Sequence, residues 1–249
     1  MKSSIREISS HFFMNSHNNI LNANWETITD SLHARGYAII PDAITEIECN
    51  SLIQQYSDKE LYRKTIVMER YRFGLGEYKY FNYPLPELIQ NIRQTIYPKL
   101  APIANNWMHF LNITKSFPDS LDALLKRCRA SGQDKPTVLI LKYGPGGFNT
   151  LHQDLYGEIY FPMQAVLFLN EPDEDFKGGE FVLLEQIPRA QSKAIVLKPR
   201  KGDMLIFTTN FRPVKGSKGY YRCNMKHGVS EVISGNRHTL GIIFHDASS

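Results

Sequence analysis

Three side chains that could bind a metal ion stand out in this sequence: His152, Asp154 and the distant His227. Side chains of an extended strand alternate between its two faces, so His152 and Asp154, separated by one residue, point to the same side. A second imidazole from another strand would complete a set of two nitrogens and one carboxylate on one face of a metal ion. Such a set suits Fe(II) and leaves coordination positions open for small molecules and O2. The sequence therefore predicts a redox metal site.

The residues around these three strengthen the prediction. A glycine-rich turn, Tyr-Gly-Pro-Gly-Gly at residues 143–147, leads from an apolar run toward His152. Arg237 follows His227 by ten residues, and Thr239 lies two residues further on. A His-x-Asp pair by itself occurs by chance in many chains, and it is this context that gives the pair its meaning.

The second half of the chain has the pattern of a β-protein. From Pro136 onward, short apolar runs alternate with turn residues such as Gly146-Gly147, which is typical of a sandwich or barrel. The predicted strands are residues 138–141, 165–169, 181–184, 194–197, 204–207 and 240–244. Two strands of a double-stranded β-helix could bring His152 and His227 together.

The first half has the pattern of helices. They are predicted at residues 24–35, 45–55, 85–111 and 119–130, with a short strand at residues 37–41. Thr45 and Glu48 have the spacing of a capping box, and Pro98 and Pro102 predict a break in the third helix. We expect one domain, 1–249, with mainly helical support in about 1–135 and the β core in about 136–246. The polar first 20 residues predict poor order.

Composition narrows the class of protein. With 249 residues, of which 42% are hydrophobic, the chain can bury a substantial core. The formal net charge of +4 and the pI near 8.8 favour anionic ligands or nucleic acid only weakly. Cys49, Cys128 and Cys223 are too few and too scattered for a disulfide scaffold. No stretch has the apolar length of a signal peptide or a membrane span, so we expect a cytoplasmic protein.

In these motifs the chain resembles the 2-oxoglutarate/Fe(II)-dependent dioxygenase superfamily. The shared pattern is His-x-Asp, a distal His, an Arg about ten residues later and a hydroxyl residue two positions beyond it. The closest resemblance is to the prolyl-hydroxylase-like branch. That branch shares a Tyr before a Gly-rich turn, a Gly-Gly-Glu at a strand start, here residues 178–180, and a Pro-x-x-Gly-Asp stretch, here residues 199–203. The resemblance covers about residues 136–246.

The resemblance implies a fold, a reaction and site residues. The fold would be α+β, a double-stranded β-helix (jelly-roll, cupin-like) core with N-terminal buttressing helices. The catalytic, iron-binding residues would be His152, Asp154 and His227. The residues for 2-oxoglutarate would be Arg237, Thr239 and Tyr143, since a guanidinium fork binds both oxygens of a carboxylate. The enzyme would hydroxylate a C–H bond of an amino-acid residue or free amino acid, consuming O2 and releasing succinate and CO2.

Two segments could meet a small-molecule, peptide or protein substrate. Residues 70–83 interleave aromatic and basic side chains, and they would either pack inward against the core or form a lid over the metal. Residues 211–220 form a basic loop. This loop would be either a solvated hairpin or, through Arg212 and Lys215, a site that attracts acidic substrates.

Two other functions stay open. A nucleic-acid demethylase of the same superfamily fits the mild basicity. Demethylases resembling the AlkB group, however, carry a second arginine six residues after the first, and this chain has Ile243 there. A non-enzymatic, cupin-like metal-binding module is the third reading, and the complete ligand set with Arg237 argues against it.

Overall fold

The computed structural model describes residues 19–155 and 157–249. Two antiparallel sheets face each other, and helices cover the outer side of the larger sheet. The poor order predicted for the first 20 residues concerns a segment that, up to residue 18, lies outside the described residues. Within the described ranges, no helix is both long and apolar enough to cross a membrane.

Fifteen strands and four helices form the framework of the described residues. The strands, in chain order, are β1 (Tyr37–Ile40), β2 (Tyr62–Val67), β3 (Gly74–Leu75), β4 (Glu77–Phe81), β5 (Leu139–Tyr143), β6 (Phe148–His152), β7 (Met163–Phe168), β8 (Phe176–Gly178), β9 (Phe181–Gln186), β10 (Lys193–Leu197), β11 (Met204–Thr208), β12 (Phe211–Gly216), β13 (Gly219–Val229), β14 (Val232–Gly235) and β15 (Arg237–Ile242). The helices are α1 (Trp25–Arg35), α2 (Glu46–Gln55), α3 (Glu87–Phe110) and α4 (Leu121–Ala130). Every predicted strand and helix overlaps one of these elements.

The order of the strands identifies the core. The larger sheet runs β1-β11-β7-β15-β5-β4-β2, and the smaller one runs β10-β9-β13-β6-β3, with β12 paired to β13. The chain passes from β5 in the larger sheet to β6 in the smaller one and back to β7. It repeats this exchange from β11 through β13 to β15. Two facing sheets that exchange strands in this way form a jelly roll, which confirms the predicted double-stranded β-helix.

Two apolar layers hold the elements together. In one, Ile96 and Trp107 of α3 share a cluster with Ile140 on the outer face of the larger sheet. In the other, Leu183 and Phe207 pack between the two sheets. Because both faces of the central strands are covered, β7 and β15 are buried along their whole lengths. This burial explains why β7 is an almost continuous apolar run.

The ends of the first two helices follow the predicted signals. The side chain of Asn24 accepts the N–H of Thr27, and Gly36 ends α1 in the left-handed region at φ +78°. Thr45 and Glu48 form the predicted capping box at the start of α2.

The predicted break at Pro98 and Pro102 is wrong, because α3 continues through both prolines. Both lie on the exposed side of the helix, so the carbonyl groups of Gln94 and Pro98, which a proline cannot pair, face water rather than the core. The opposite side of α3 is buried and, apart from Arg93, largely apolar. A proline inside a helix costs about 3 kcal/mol or more, and packing of the buried side outweighs that cost.

The first half of the chain also contributes to the β core. β1 pairs with β11, and β4 pairs with both β5 and β2. Three strands of the larger sheet therefore come from residues before 136. The larger sheet thus includes strands from the region expected to be mainly helical support, and the single domain of residues 1–249 stays a prediction.

Candidate active site

A cavity of about 250 Å³ lies between the two sheets. Two groups of polar side chains line it. The metal end, as we call it, consists of His152, Asp154 and His227, and the arginine end consists of Arg237, Tyr143 and Thr239. The remaining wall is largely aromatic and aliphatic, with Phe73, Tyr78, Tyr80, Leu139, Leu141, Val166, Phe181 and Phe207.

Strand pairing brings the two histidines of the metal end together. His152 ends β6 and pairs directly with His227 of β13, and the centroids of their rings are 4.2 Å apart. Asp154 lies just beyond the end of β6. Its Oδ1 is 3.4 Å from His152 Nε2, and its Oδ2 is 3.2 Å from His227 Nε2. Ligand atoms of the three residues all lie within 4.8 Å of one another, which suits a single metal ion.

The charges at the metal end suit a cation. Burial alone would raise the pKa of Asp154, but His227 and His152 outweigh it and hold that pKa well below its ordinary value. Burial also opposes protonation of His152, yet Asp154 prevails there and raises the pKa. Burial lowers the pKa of His227. Metals bind ionised carboxylates and neutral imidazoles, and these are the forms that the cluster favours for Asp154 and His227.

Neighbouring groups orient the metal end. His152 Nδ1 is 2.7 Å from the carbonyl oxygen of Thr150, which leaves Nε2 facing the cluster. Gln153, the residue between His152 and Asp154, donates its amide to the carbonyl oxygens of Asn210 and Met225 at 2.8 and 2.9 Å. These hydrogen bonds hold the chain that carries His152 and Asp154 against β13 and against the residue before β12.

The arginine end holds a buried cation. Arg237 on β15 pairs in register with Tyr143 on β5, and it is 1% exposed. None of its three guanidinium nitrogens has a hydrogen-bond partner among the described residues. The rings of Tyr143, Phe168 and Phe176 lie around it at 5.5, 5.6 and 6.0 Å. Burial lowers the pKa of Arg237 to about 10, so it remains a cation at neutral pH and its unpaired donors fit a carboxylate.

The other two residues of this end, Thr239 and Tyr143, carry buried hydroxyl groups. Thr239 follows Arg237 by two positions on β15 and is buried on the same inward face. Burial raises the pKa of Tyr143 to about 12, although the nearby Arg237 acts against this rise. The phenol therefore keeps its proton and is available as a donor. All six site residues that the sequence predicted thus line one cavity.

The Gly-Gly-Glu motif (residues 178–180) and the Pro-x-x-Gly-Asp motif (residues 199–203) have structural roles. Gly179 has φ +64°, and a Cβ there would lie 2.8 Å from Val232 Cγ2 and 2.9 Å from Arg237 Cδ, so the glycine leaves room for both side chains. Gly178 is also in the left-handed region, at φ +72°. Asp203, at the end of the Pro-x-x-Gly-Asp stretch, accepts the backbone N–H groups of Asp42 and Arg200 at 3.1 and 2.8 Å.

Part of the segment 70–83 forms one wall of the cavity. Phe73, Tyr78 and Tyr80 line the cavity, and β3 and β4 belong to the two sheets. The backbone N–H and hydroxyl of Thr150 both donate to the carbonyl oxygen of Phe73 at 2.9 Å. The segment is therefore attached to the strand of His152, as expected for inward packing rather than for a separate lid.

The suggestion that Arg212 attracts an acidic substrate is wrong. Its side chain is buried and pairs with Glu185 at 2.8 Å, so its charge is already neutralised. Lys215 is exposed on the β12–β13 hairpin, and neither residue is among those that line the cavity.

Sequence reasoning missed Gln164. This residue of β7 is 4% exposed, and its Nε2 donates to Asp154 Oδ2 at 2.8 Å and lies 3.3 Å from His227 Nε2. The available signal was a single amide inside an otherwise apolar strand of six residues.

Comparison with known sequences points to an oxygenase. The model of the Oxygenase-NA family, described as oxygenases catalysing oxidative methylation of damaged DNA, matches residues 76–247. Uncharacterized proteins from two strains of Mycobacterium tuberculosis are each 40% identical to this chain over 224 residues, which covers 90% of this chain and 91% of each relative.

Solved structures share the fold at low identity. A prolyl-4-hydroxylase from Pseudomonas putida matches with a TM-score of 0.53 and 14% identity over 90% of this chain and 100% of that one. A prolyl hydroxylase from Trichoplax adhaerens, solved with a peptide fragment of the oxygen degradation domain of hypoxia inducible factor, matches with a TM-score of 0.51 and 15% identity over 89% of each chain. The fold is that of prolyl-hydroxylase-like oxygenases, as the motifs predicted.

Proposed function

The chain belongs to the Oxygenase-NA family and is a 2-oxoglutarate- and Fe(II)-dependent dioxygenase, and we propose that His152, Asp154 and His227 hold its iron. Arg237 binds the distal carboxylate of 2-oxoglutarate, with Thr239 adding a hydroxyl. The observation that carries this proposal is one cavity in which a three-residue metal cluster shares the space with a buried arginine that has no hydrogen-bond partner among the described residues.

Each protein group has a defined task in this proposal. When bound, Fe(II) and 2-oxoglutarate supply the activation of O2 that oxidises a C–H bond, with release of succinate and CO2. Three protein ligands leave the other coordination positions free for the co-substrate and O2. The phenolic hydroxyl of Tyr143 donates a hydrogen bond to the co-substrate. Phe181 and Phe207, which pack against the His227 ring with centroids at 6.1 and 4.8 Å, hold that ring and keep water from its side.

We propose that the substrate is an amino-acid side chain, in a peptide or protein or as a free amino acid. The cavity wall beyond the six site residues is mainly aliphatic and aromatic, for example at Leu139, Leu141 and Val166. Such a wall accepts an uncharged group and costs free energy for a charged one. The Trichoplax adhaerens enzyme of the same fold was solved with a peptide, which supports a peptide as the ligand.

A damaged nucleobase is a second candidate, favoured by the description of the family and by one surface feature. The rings of Tyr71 and Phe73 are exposed and nearly parallel, with centroids 5.5 Å apart and planes at 17°. Arg70 and Arg72, which flank Tyr71 in the chain, are also exposed. Exposed aromatic rings beside arginines are typical of platforms on which the bases of a single strand stack.

Succinate formation from 2-oxoglutarate in the presence of Fe(II) tests the metal site. The wild type and His109→Ala, which changes an exposed histidine of α3, should both form succinate. His152→Ala should neither form succinate nor retain iron. A wild type that binds no iron and forms no succinate with any substrate would instead support a binding module.

A second assay separates the two substrate classes. Succinate formation is measured with proline-containing peptides and with a single-stranded oligonucleotide that carries N-methylated bases. Stimulation by peptides that Tyr71→Ala leaves unchanged supports the amino-acid substrate. Stimulation by the oligonucleotide that Tyr71→Ala and added salt both weaken supports the nucleobase.

A further inference from the structure

Gln164 is a buried polar side chain to which the proposed function assigns no task. It extends from β7 in the larger sheet toward His227 on β13 of the smaller sheet and toward Asp154, which lies just beyond the end of β6. Its side chain lines the cavity beside Asp154 and His227. A polar side chain in this layer loses the hydration of its amide on folding, and it is stable there only if the amide finds partners.

The amide nitrogen of Gln164 meets that requirement on the metal ligands themselves. It donates one of its hydrogens to the carboxylate of Asp154, and it lies beside the ring of His227. Asp154 Oδ2 lies at 2.8 Å, and His227 Nε2 lies at 3.3 Å. The Asp154 carboxylate thus has one oxygen engaged by an amide, while its other oxygen, Oδ1, lies on the side of His152.

This arrangement bears on how Asp154 can bind a metal. A carboxylate with two free oxygens can bind one ion through both of them and so occupy two coordination positions. A hydrogen bond to one oxygen favours binding through the other oxygen alone. An oxygenase of this class needs the remaining positions for the co-substrate and O2.

We propose that Gln164 is a positioning residue that holds Asp154 to coordination through one oxygen and thereby keeps a coordination position open for 2-oxoglutarate. This inference rests on the proposed function of the His152, Asp154 and His227 cluster. It assigns to Gln164 no contact with the reacting atoms. Its effect passes through the Asp154 carboxylate, whose orientation the amide fixes.

Anaerobic titration with Co(II), followed by its visible absorption spectrum, tests the proposal without turnover. Gln164→Met has nearly the same length but no amide. We expect it to bind Co(II) about 10- to 100-fold more weakly, the range typical of lost partners of metal ligands. We also expect the spectral change on adding 2-oxoglutarate to shrink, because Asp154 then competes for the same position.

Two further variants complete the design. Gln186→Met makes the same exchange on β9, outside the residues that line the cavity, and should behave as the wild type does. Gln164→Asn keeps the amide but shortens the side chain by one methylene, so it should weaken Co(II) binding in the same direction. This second variant decides the question if Gln164→Met does not fold.

The outcomes separate the two claims. A Gln164→Met protein with the wild-type Co(II) affinity and the wild-type response to 2-oxoglutarate would overturn the positioning role. The proposed metal site would still stand in that case, provided that the wild-type protein binds Co(II). A wild type that binds no Co(II) would overturn the proposed function and this inference together.

Discussion

The two ends of the cavity differ in whether the protein itself supplies hydrogen-bond partners for the charged group. At the metal end, the Asp154 carboxylate contacts both histidines and the Gln164 amide. At the arginine end, the Arg237 guanidinium has aromatic neighbours but no hydrogen-bond partner among the described residues. A buried charge without a partner costs several kcal/mol. The Asp154 carboxylate therefore has polar partners within the protein, whereas the Arg237 guanidinium gains a hydrogen-bond partner only with an anion.

This difference indicates that the binding of a ligand stabilises one end of the cavity more than the other. At the metal end, the pairing of β6 with β13 and the hydrogen bonds of Gln153 already hold the geometry. In our proposal, the arginine end stores an unfavourable free energy that 2-oxoglutarate relieves on binding. Substitutions at the two ends should accordingly separate metal affinity from co-substrate affinity.

The largest effect is expected for Asp154→Ala. This change removes the carboxylate that balances the cation, so metal affinity should fall by more than about 100-fold, beyond the effect of losing an outer partner. Succinate formation should become undetectable. Anaerobic metal titration and the succinate assay check this, with Asp122→Ala, an exposed acid of α4, as the control. Wild-type metal affinity in Asp154→Ala would remove Asp154 from the ligand set.

Arg237→Met should break the other end alone. The KM for 2-oxoglutarate should rise about 100-fold, because a charge-assisted pair in a buried site contributes about 2–5 kcal/mol. Metal affinity should stay at the wild-type value, and the unfolding free energy without ligand should not fall, because an unpaired buried charge is removed. Titration of both ligands and urea unfolding measure these quantities.

The control for this prediction is Arg129→Met, at an exposed arginine of α4, which should leave the KM unchanged. A loss of metal affinity in Arg237→Met equal to its loss of co-substrate affinity would show that the two ends are not separate.

Acid should destabilise the fold through His238, which follows Arg237 on β15 and points to the opposite face of that strand. His238 is buried with its ring 5.6 Å from that of Tyr56, and burial, with Lys142 and Arg237, lowers its pKa to about 4. The unfolded chain binds the proton near pH 6.5 and the folded chain only near pH 4. His238 therefore stabilises the fold fully above pH 6.5, and this contribution is lost as the pH falls toward 4. The loss should be about 2 kcal/mol, somewhat less than the full shift implies because some solvent reaches the ring.

Urea unfolding at pH 7 and pH 4.5 measures this effect. His238→Gln should reduce the loss of stability between the two values, whereas His109→Gln, at an exposed histidine, should leave it as in the wild type. An identical loss in His238→Gln and the wild type would place the acid sensitivity elsewhere.

The smallest effect is expected for Gly179→Ala. A Cβ at this position would lie 2.8 Å from Val232 Cγ2 and 2.9 Å from Arg237 Cδ, so both side chains must shift. The shift of the arginine should raise the KM for 2-oxoglutarate about 10-fold, roughly 1.4 kcal/mol. Gly132→Ala is a close control, because Gly132 has φ +72° but no atom within 4 Å of the added Cβ. Both variants should lose about 1 kcal/mol of stability from the backbone strain. Gly179→Ala should lose more because of its close contacts, and only Gly179→Ala should change the KM. Equal KM values would show that Arg237 does not depend on this glycine.

Sequence reasoning was most reliable where a local pattern carries the information. The capping box at Thr45 depends on neighbours in the chain, and the structure contains it. The prediction at Pro98 and Pro102 was wrong because a local rule met a helix whose buried side is stabilised by distant parts of the chain. Arg212 was misjudged for the same reason, since its partner Glu185 lies on another strand.

By itself, the sequence determined the chemical types of the site: two imidazoles and a carboxylate, an arginine and two hydroxyls. Their spacing along the chain allows the side chains to point to the inner face of their strands, because side chains alternate along a strand. Only the tertiary structure decided that β6 and β13 pair so that His152 and His227 meet, that Arg237 has no hydrogen-bond partner among the described residues, and that Gln164 reaches Asp154. The physical reason is that these contacts join residues far apart in the chain. Their geometry depends on which strands pair and in which register, and the two facing sheets fix both.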